Sequence, residues 1–342
     1  MIIQLFTLLS AGALAVALAA AVRRFAAARG IVDQPGEPRK IHTRPTPLLG
    51  GVAVFLAFTL TAWAASPLIV GRDLPLAALV GLTLGGFLLM VGGYLDDRYC
   101  ILPRWQIAWP IAAALVAVLG GATVQGVTNP FGGTVHFDSL PFVPAVVGFL
   151  WLLGTTYTTK LLDGLDGLAS GIGAIGALII FSLTQFTPFY QPSVGLLALA
   201  FAGACLGFLV WNWYPARLFL GEGGSLYIGF VLGYLSIISG AKIATALLVV
   251  GIPALDVAWV IIRRLFLERK SVAAADRRHL HYRLLDASLS VRQAVLLLYA
   301  LTGGFGLASL FLSTRGKLLA LGALLLVMLG LGAYVVRRYQ PR

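Results

Sequence analysis

Apolar residues run along this chain in blocks long enough to cross a bilayer, separated by short polar stretches. A helix rises about 1.5 Å per residue, so about 20 apolar residues reach across the hydrocarbon layer. On that length the pattern predicts eleven helices, at 2–22, 48–66, 75–94, 105–125, 142–160, 167–186, 193–213, 225–240, 243–262, 292–312 and 318–336. The eighth is short, and its boundary with the ninth is weakly marked. The predicted fold is all-α: a polytopic integral membrane protein of about 11 transmembrane helices, read as one domain over 1–342. No repeat, low-complexity linker or second soluble domain interrupts the pattern.

Composition strengthens this reading. The chain is 59% hydrophobic and 11% charged, whereas soluble domains are about half apolar and a quarter charged. Cys100 and Cys205 are too few for a disulfide framework and have no zinc-ligand spacing. A net charge of +12 raises the question of nucleic acid, but the basic residues sit between apolar runs, where membrane orientation explains them better. No nucleic-acid partner is predicted; the lipid bilayer is.

The run Ile2–Val22 has no basic residue ahead of it and Arg23-Arg24 behind it, the reverse of a secretory signal. It is predicted to be a retained helix with its N-terminus outside. Alternation then sends five polar loops and the C-terminal tail to the cytoplasm. Of 25 Lys and Arg, only Arg72, Lys242, Arg315 and Lys317 fall outside; of 13 acids, only Asp73 and Asp138 do. Basic residues orient spans, but acids contribute little to orientation. Acids gathered on one face point instead to a site built from carboxylates.

The third of these loops holds the densest chemistry, in the stretch Y-T-T-K-L-L-D-G-L-D-G-L-A-S-G at 157–171. Ionisable groups beside a span are costly unless they serve something. Asp163 and Asp166 are three apart, so a helical continuation would put both carboxylates on one face. Gly164 and Gly167 leave room for a ligand to approach the backbone. The second loop opens with Asp96-Asp97 at the negative end of a helix. Two such carboxylates repel unless a cation lies between them, so the pair reads as a metal site, a general base or a solvated loop pair.

The other cytoplasmic loops add basic groups and a glycine-rich turn. In 23–47, prolines force an extended path, and Arg39, Lys40, His42 and Arg44 offer an anion-binding surface or an ordinary orienting cluster. In the fourth, Gly221, Gly223 and Gly224 surround Glu222, and Ser225 is the expected N-cap of the next helix. Such a turn can hold phosphate oxygens on backbone N–H groups, with Glu222 placed to bind Mg²⁺. The fifth, 263–292, carries Arg278, His279, His281 and Arg283 among other basic residues. The two histidines share a face only if the segment is extended. Nothing nearby completes a zinc set, and phosphate contacts suit the arginines better. The outer loop 128–141, with His136, is assigned no chemistry.

Carboxylates ringed by basic groups at one membrane face suit phosphoryl transfer between a soluble nucleotide and a lipid phosphate. The loop motifs go further. R-K-I-H-T-R-P-T-P-L-L-G-G, Y-L-D-D-R, D-G-L-D-G-L, N-W-Y-P-A-R-L-F-L-G-E-G-G-S, P-A-L-D with Asp256, and D-R-R-H-L-H-Y-R occur in order on the predicted cytoplasmic face. With them the chain, from about Asp33 to Leu285, resembles the polyprenyl-phosphate N-acetylhexosamine-1-phosphate transferases. The resemblance is closer to the branch that starts surface polysaccharides and teichoic acids than to the phospho-MurNAc-pentapeptide transferases, which stand as the runner-up.

That resemblance implies transfer of N-acetylhexosamine-1-phosphate, with GlcNAc-1-phosphate favoured, from a UDP-N-acetylhexosamine to undecaprenyl phosphate in a bacterial plasma membrane, releasing UMP. It implies Mg²⁺, with Mn²⁺ as the alternative ion, and leaves a homodimer open. Asp96 and Asp97 take the catalytic positions. Arg39, Lys40 and His42 would meet the lipid phosphate. Lys160, Asp163, Asp166, Arg278, His279, His281 and Arg283 would meet the nucleotide sugar, and Glu222 with Asp97 the metal.

Three positions depart from the family pattern, which has asparagine at Lys160, aspartate at Glu222 and histidine at Tyr282. The first two suggest that the Lys160 ammonium partly takes over the metal's role at the diphosphate while Glu222 repositions the ion. They also keep open a catalytically inactive, lipid-binding relative. A transporter, the other rival class, would place its charges near mid-membrane.

Overall fold

The computed structural model describes residues 2–36, 40–129, 131–137, 140–185, 190–240, 243–262, 264 and 279–338. Arg39 and Arg278, expected at the site, lie outside the described residues. In chain order the elements are α1 (Ile2–Ala28), β1 (Val32–Asp33), β2 (Thr46–Pro47), α2 (Gly50–Ala64), α3 (Ser66–Ile69), α4 (Leu76–Tyr99), α5 (Pro103–Gln106) and α6 (Ala108–Leu119). There follow β3 (Gly126–Thr128), β4 (Thr134–His136), α7 (Val143–Leu162), α8 (Leu168–Gln185), α9 (Pro192–Asn212) and α10 (Gly221–Ile238). The chain continues through α11 (Ile243–Ile262), α12 (Leu280–Asp286), α13 (Val291–Phe311) and α14 (Thr314–Arg338).

Each of the eleven apolar runs contains a helix. Among the described residues, eight helices are long and apolar enough to cross a membrane: α1, α4, α7, α8, α9, α10, α13 and α14. The chain is a multi-pass membrane protein. α11 makes a ninth only if its two halves, bent by 68°, count as one span. The break between the halves falls at position 253, a proline in the sequence, the residue type that most often ends or kinks a helix. The runs 48–66 and 105–125 form shorter apolar helices over Gly50–Ala64 and Pro103–Leu119. Two antiparallel ribbons, β1–β2 and β3–β4, stand beside this helical bundle. The proline-rich loop is thus pinned by a short ladder, Val32 opposite Pro47 and Asp33 opposite Thr46.

α10 forms the centre. It is the most buried of the eight candidate spans and α14 the least. Around it Phe58, Phe201 and Tyr227 meet edge to face, with Phe55 against the same tyrosine. Inside lipid there is little hydrophobic drive between helices, so small residues that permit close backbone approach do much of the holding. α1 meets α9 in this way, where a Cβ on Gly203 or Gly207 would strike the carbonyls of Leu8 and Gly12. The Trp211 indole N–H reaches the Val16 carbonyl at 3.1 Å across the same contact.

The same device sets the end of the bundle that holds the site. Gly51 faces Gly224, and Gly93 faces Gly223, backbone to backbone. The first turn of α10 is thereby wedged between the start of α2 and the end of α4. Gly50 and Gly51 donate their N–H groups to the carbonyls of Phe219 and Leu220, each at 2.8 Å.

Candidate active site

The loops α1–α2, α4–α5, α7–α8 and α9–α10 converge on one cavity of about 1420 Å³. One wall carries Asp96, Asp97, Asp163, Asp166 and Glu222 together with Lys160. Lys40, His42 and Arg44 line it from the first loop. Nine of the residues singled out in the sequence therefore share one space.

The glycine-rich turn behaves differently from its expectation. α10 starts at Gly221, not after Ser225, because Gly221 adopts φ +74° and reverses the chain there. A Cβ at that position would strike the Asp97 carboxylate. Ser225 is inside the helix, and its hydroxyl donates to the Glu222 carbonyl at 3.0 Å. The first-turn N–H of Glu222 donates instead to Asp97 Oδ1 at 3.1 Å. Asp97 thus leaves the negative end of α4 for the positive end of α10, which answers its unfavourable position on its own helix. Asp96 is held separately: its Oδ1 accepts from Gln106 Nε2 at 2.8 Å.

Glu222, on that first turn, accepts a hydrogen bond from the Lys160 ammonium, and the two form an ion pair. Both remain partly open to the cavity, at 24% exposure for Lys160 and 17% for Glu222. The Tyr157 ring, one helical turn earlier on α7, stands 5.9 Å from the Lys160 nitrogen.

α7 ends at Leu162 and α8 begins at Leu168, so Asp163 and Asp166 lie in the intervening turn and not on one helix face. The Ala216 N–H donates to Asp166 Oδ2 at 2.8 Å, and Asn212 Oδ1 accepts from the Gly167 N–H at 3.1 Å. Burial, then the charges of Asp166 and Glu222, push the Asp163 carboxyl up to about 7. Burial also raises Asp166, against the pull of its Ala216 hydrogen bond and of His42. The space at Gly164 is taken by the His281 ring rather than left for a ligand.

On the basic side, Asp33 organises the first loop. Lys40 pairs with it at 2.8 Å, and His42 Nε2 lies 3.6 Å from its other oxygen. His42 also packs edge-on against Phe219, with ring centroids 5.1 Å apart.

The histidine segment packs against the turn of Asp163 and Asp166 at Gly164. His279 is the extended residue before α12 and His281 is inside that helix, so their rings stack at 5.6 Å. His279 Nδ1 faces Asp256 Oδ2 at 2.8 Å, and the Leu280 N–H donates to Asp256 Oδ1 at 2.8 Å. Neither histidine lines the cavity, nor does Arg283; Tyr282 does. His281 is 1% exposed, and burial pushes its pKa down to about 4 despite the nearby Asp256. It is neutral at neutral pH.

The structure tests the expected Mg²⁺ or Mn²⁺ at Glu222 and Asp97 by the chemistry of the donors. Glu222 already faces an ammonium, and one Asp97 oxygen is used by α10. Among the described residues no three of His, Cys, Asp and Glu group closely enough to hold an ion. As arranged, these side chains do not fit the expected metal set.

Asp33, Gln106, Asn212 and Asp256 were not assigned roles from the sequence. Each acts by holding another group; Asn212 and Asp256 stand in motifs noted in the sequence, which gave them no partner. Asp256 and Asn212 meet partners 23 and 45 residues away, out of reach of a spacing argument, while Asp33 and Gln106 meet nearer partners through irregular loops that no helix or strand period relates.

The model for glycosyl transferase family 4 matches residues 79–240, the stretch that contains both aspartate pairs, Lys160 and Glu222. The chain is 31% identical, over 86% of its length and 80% of the relative, to the probable undecaprenyl-phosphate N-acetylglucosaminyl 1-phosphate transferase of Bacillus subtilis. It is 34% identical, over 86% of its length and 79% of the relative, to the decaprenyl-phosphate N-acetylglucosaminephosphotransferase of Mycolicibacterium smegmatis. The phospho-N-acetylmuramoyl-pentapeptide-transferase of Acetivibrio thermocellus is 31% identical over 60% of this chain and 62% of the relative.

Proposed function

This chain belongs to glycosyl transferase family 4, among its polyprenyl-phosphate N-acetylhexosamine-1-phosphate transferases, and from that premise we propose that it moves GlcNAc-1-phosphate from UDP-GlcNAc to undecaprenyl phosphate. The observation that carries the reading is the single cavity in which a carboxylate wall with one ammonium meets the basic loop of Lys40, His42 and Arg44. One substrate is a soluble nucleotide and the other a membrane lipid, so the cavity faces the cytoplasm of a bacterial plasma membrane. The basic residues at that end agree with this orientation.

An oxygen of the lipid phosphate attacks the phosphorus that bears the sugar. A P–O bond forms there, and the bond from that phosphorus to the bridging oxygen breaks, its electron pair leaving with UMP. The lipid phosphate has a second pKa of about 6, so its dianion attacks without surrendering a proton, and the total charge is equal on both sides. Asp96, steadied by Gln106, orients the acceptor. Asp97 holds the α10 turn. Lys40 and His42 receive the lipid phosphate, while Asp163 and Asp166 border the nucleotide.

The test is UMP release by purified protein in detergent with undecaprenyl phosphate and a panel of UDP-sugars, with and without added divalent ions. Release with UDP-GlcNAc supports the reading, and release with UDP-MurNAc-pentapeptide alone replaces the donor. No release with any donor, from folded protein, rejects it in favour of an inactive lipid-binding relative.

A further inference from the structure

We propose that the Lys160 ammonium is the resident cation of the carboxylate wall, standing at the transferred diphosphate where a divalent ion would otherwise be needed. The inference rests on the phosphotransfer reading above and names the group that neutralises its charge.

Both substrates are anionic, and they must enter a space bordered by Asp96, Asp97, Asp163, Asp166 and Glu222. Carboxylates facing phosphates in a partly desolvated cavity repel them strongly unless a cation lies between. On this wall Lys160 supplies one. Its ammonium touches the Glu222 carboxylate while still lining the cavity. An ammonium has three N–H donors, so bonding to Glu222 leaves two for phosphate oxygens.

The ammonium is also held in place. Glu222 fixes it from the first turn of α10, and the Tyr157 ring lies 5.9 Å from its nitrogen. Glu222 is in turn set by the Gly221 reversal and by the Asp97 bond to its N–H. A cation pre-positioned in this way offsets charge as it gathers on the transferred phosphoryl oxygens and on the oxygen leaving with UMP. The balance of the step is unchanged, because the ammonium keeps its protons throughout. The same contact explains why the expected metal set is incomplete: the carboxylate that would bind the ion already has its counter-charge.

Two measurements on the full chain in detergent test this. One is Mn²⁺ binding followed by electron paramagnetic resonance, which needs no turnover; the other is UMP release in EDTA against Mg²⁺. The unmodified protein is expected to show no saturable Mn²⁺ binding that depends on Glu222. Its UMP release should change by less than about twofold in EDTA, whereas Lys160→Asn, which exchanges the ammonium for an amide oxygen, should lose about 10²-fold in EDTA and regain activity with Mg²⁺. Saturable Mn²⁺ binding that Glu222→Gln abolishes overturns the proposal, as does loss of wild-type release in EDTA. If no donor yields UMP, the proposed reaction fails, and the Mn²⁺ titration still decides whether Lys160 holds the cation position.

Discussion

The Lys160–Glu222 pair and the Asp256–His279 pair both join distant parts of the chain near the turn that carries Asp163 and Asp166. The first lines the cavity, with its ammonium able to meet an incoming anion. The second is nearly sealed, and both Asp256 oxygens are engaged, one by His279 and one by the Leu280 N–H at the start of α12. An open pair can share its cation with a ligand, whereas a sealed one can only hold its neighbours in place. Under the proposed reaction, the difference separates a group that takes part in chemistry from a group that positions.

The sharpest way to break the comparison is to remove one member of each pair. Lys160→Met should lower UMP release by about 10²- to 10³-fold, the usual cost of deleting one electrostatic stabiliser of developing charge. Its thermal midpoint should move little. Asp256→Ala should do the reverse, because it leaves the buried His279 ring and the Leu280 N–H without their acceptor, at about 1–3 kcal/mol for each unsatisfied group. A lowered midpoint in detergent, with residual activity tracking the folded fraction, is the expected result. Equal effects of the two variants on both readouts would erase the distinction.

Acid offers a milder probe of the sealed side. His281 has its folded pKa pushed down to about 4, below the unfolded value of about 6.5. The unfolded chain therefore binds more protons between these values, and stability must fall as pH drops from about 6.5 toward 4. For this one group the loss approaches about 3 kcal/mol. Its removal in His281→Phe should flatten that part of the midpoint-versus-pH curve. A curve that keeps its full slope would place the acid sensitivity elsewhere.

The smallest expected effect lies in the first loop, where the Asp33–Lys40 pair is partly exposed. Asp33→Asn should shift stability by less than about 1 kcal/mol. Its consequence should be a raised KM for the lipid acceptor, because Lys40 and His42 lose the carboxylate that aligns them. An unchanged KM would leave that loop with an orienting role only.

Much of this molecule is written in its chain order. Apolar runs of span length lie over helices because a backbone in lipid must satisfy its own hydrogen bonds, and the acids and basic loops that line the cavity were recognisable as groups too costly to be incidental. Lys160, Asp163, Asp166, Glu222, Asp96 and Asp97 were all nameable from residue type and neighbourhood. What they touch was not. The start of α10 moved from Ser225 to Gly221 because a carboxylate from α4 caps it. Gly164 makes room for His281 and not for a substrate, and the two histidines stack because one precedes a helix that the other has entered. Above all, Lys160 and Glu222 are 62 residues apart, and no periodicity relates them. Local pattern determines which segments are helical and which loops are charged, since burial and hydrogen bonding act residue by residue along the chain. Which charge faces which is decided only when glycine-lined helices close against each other, and here that closure set an ammonium against the carboxylate expected to hold a metal.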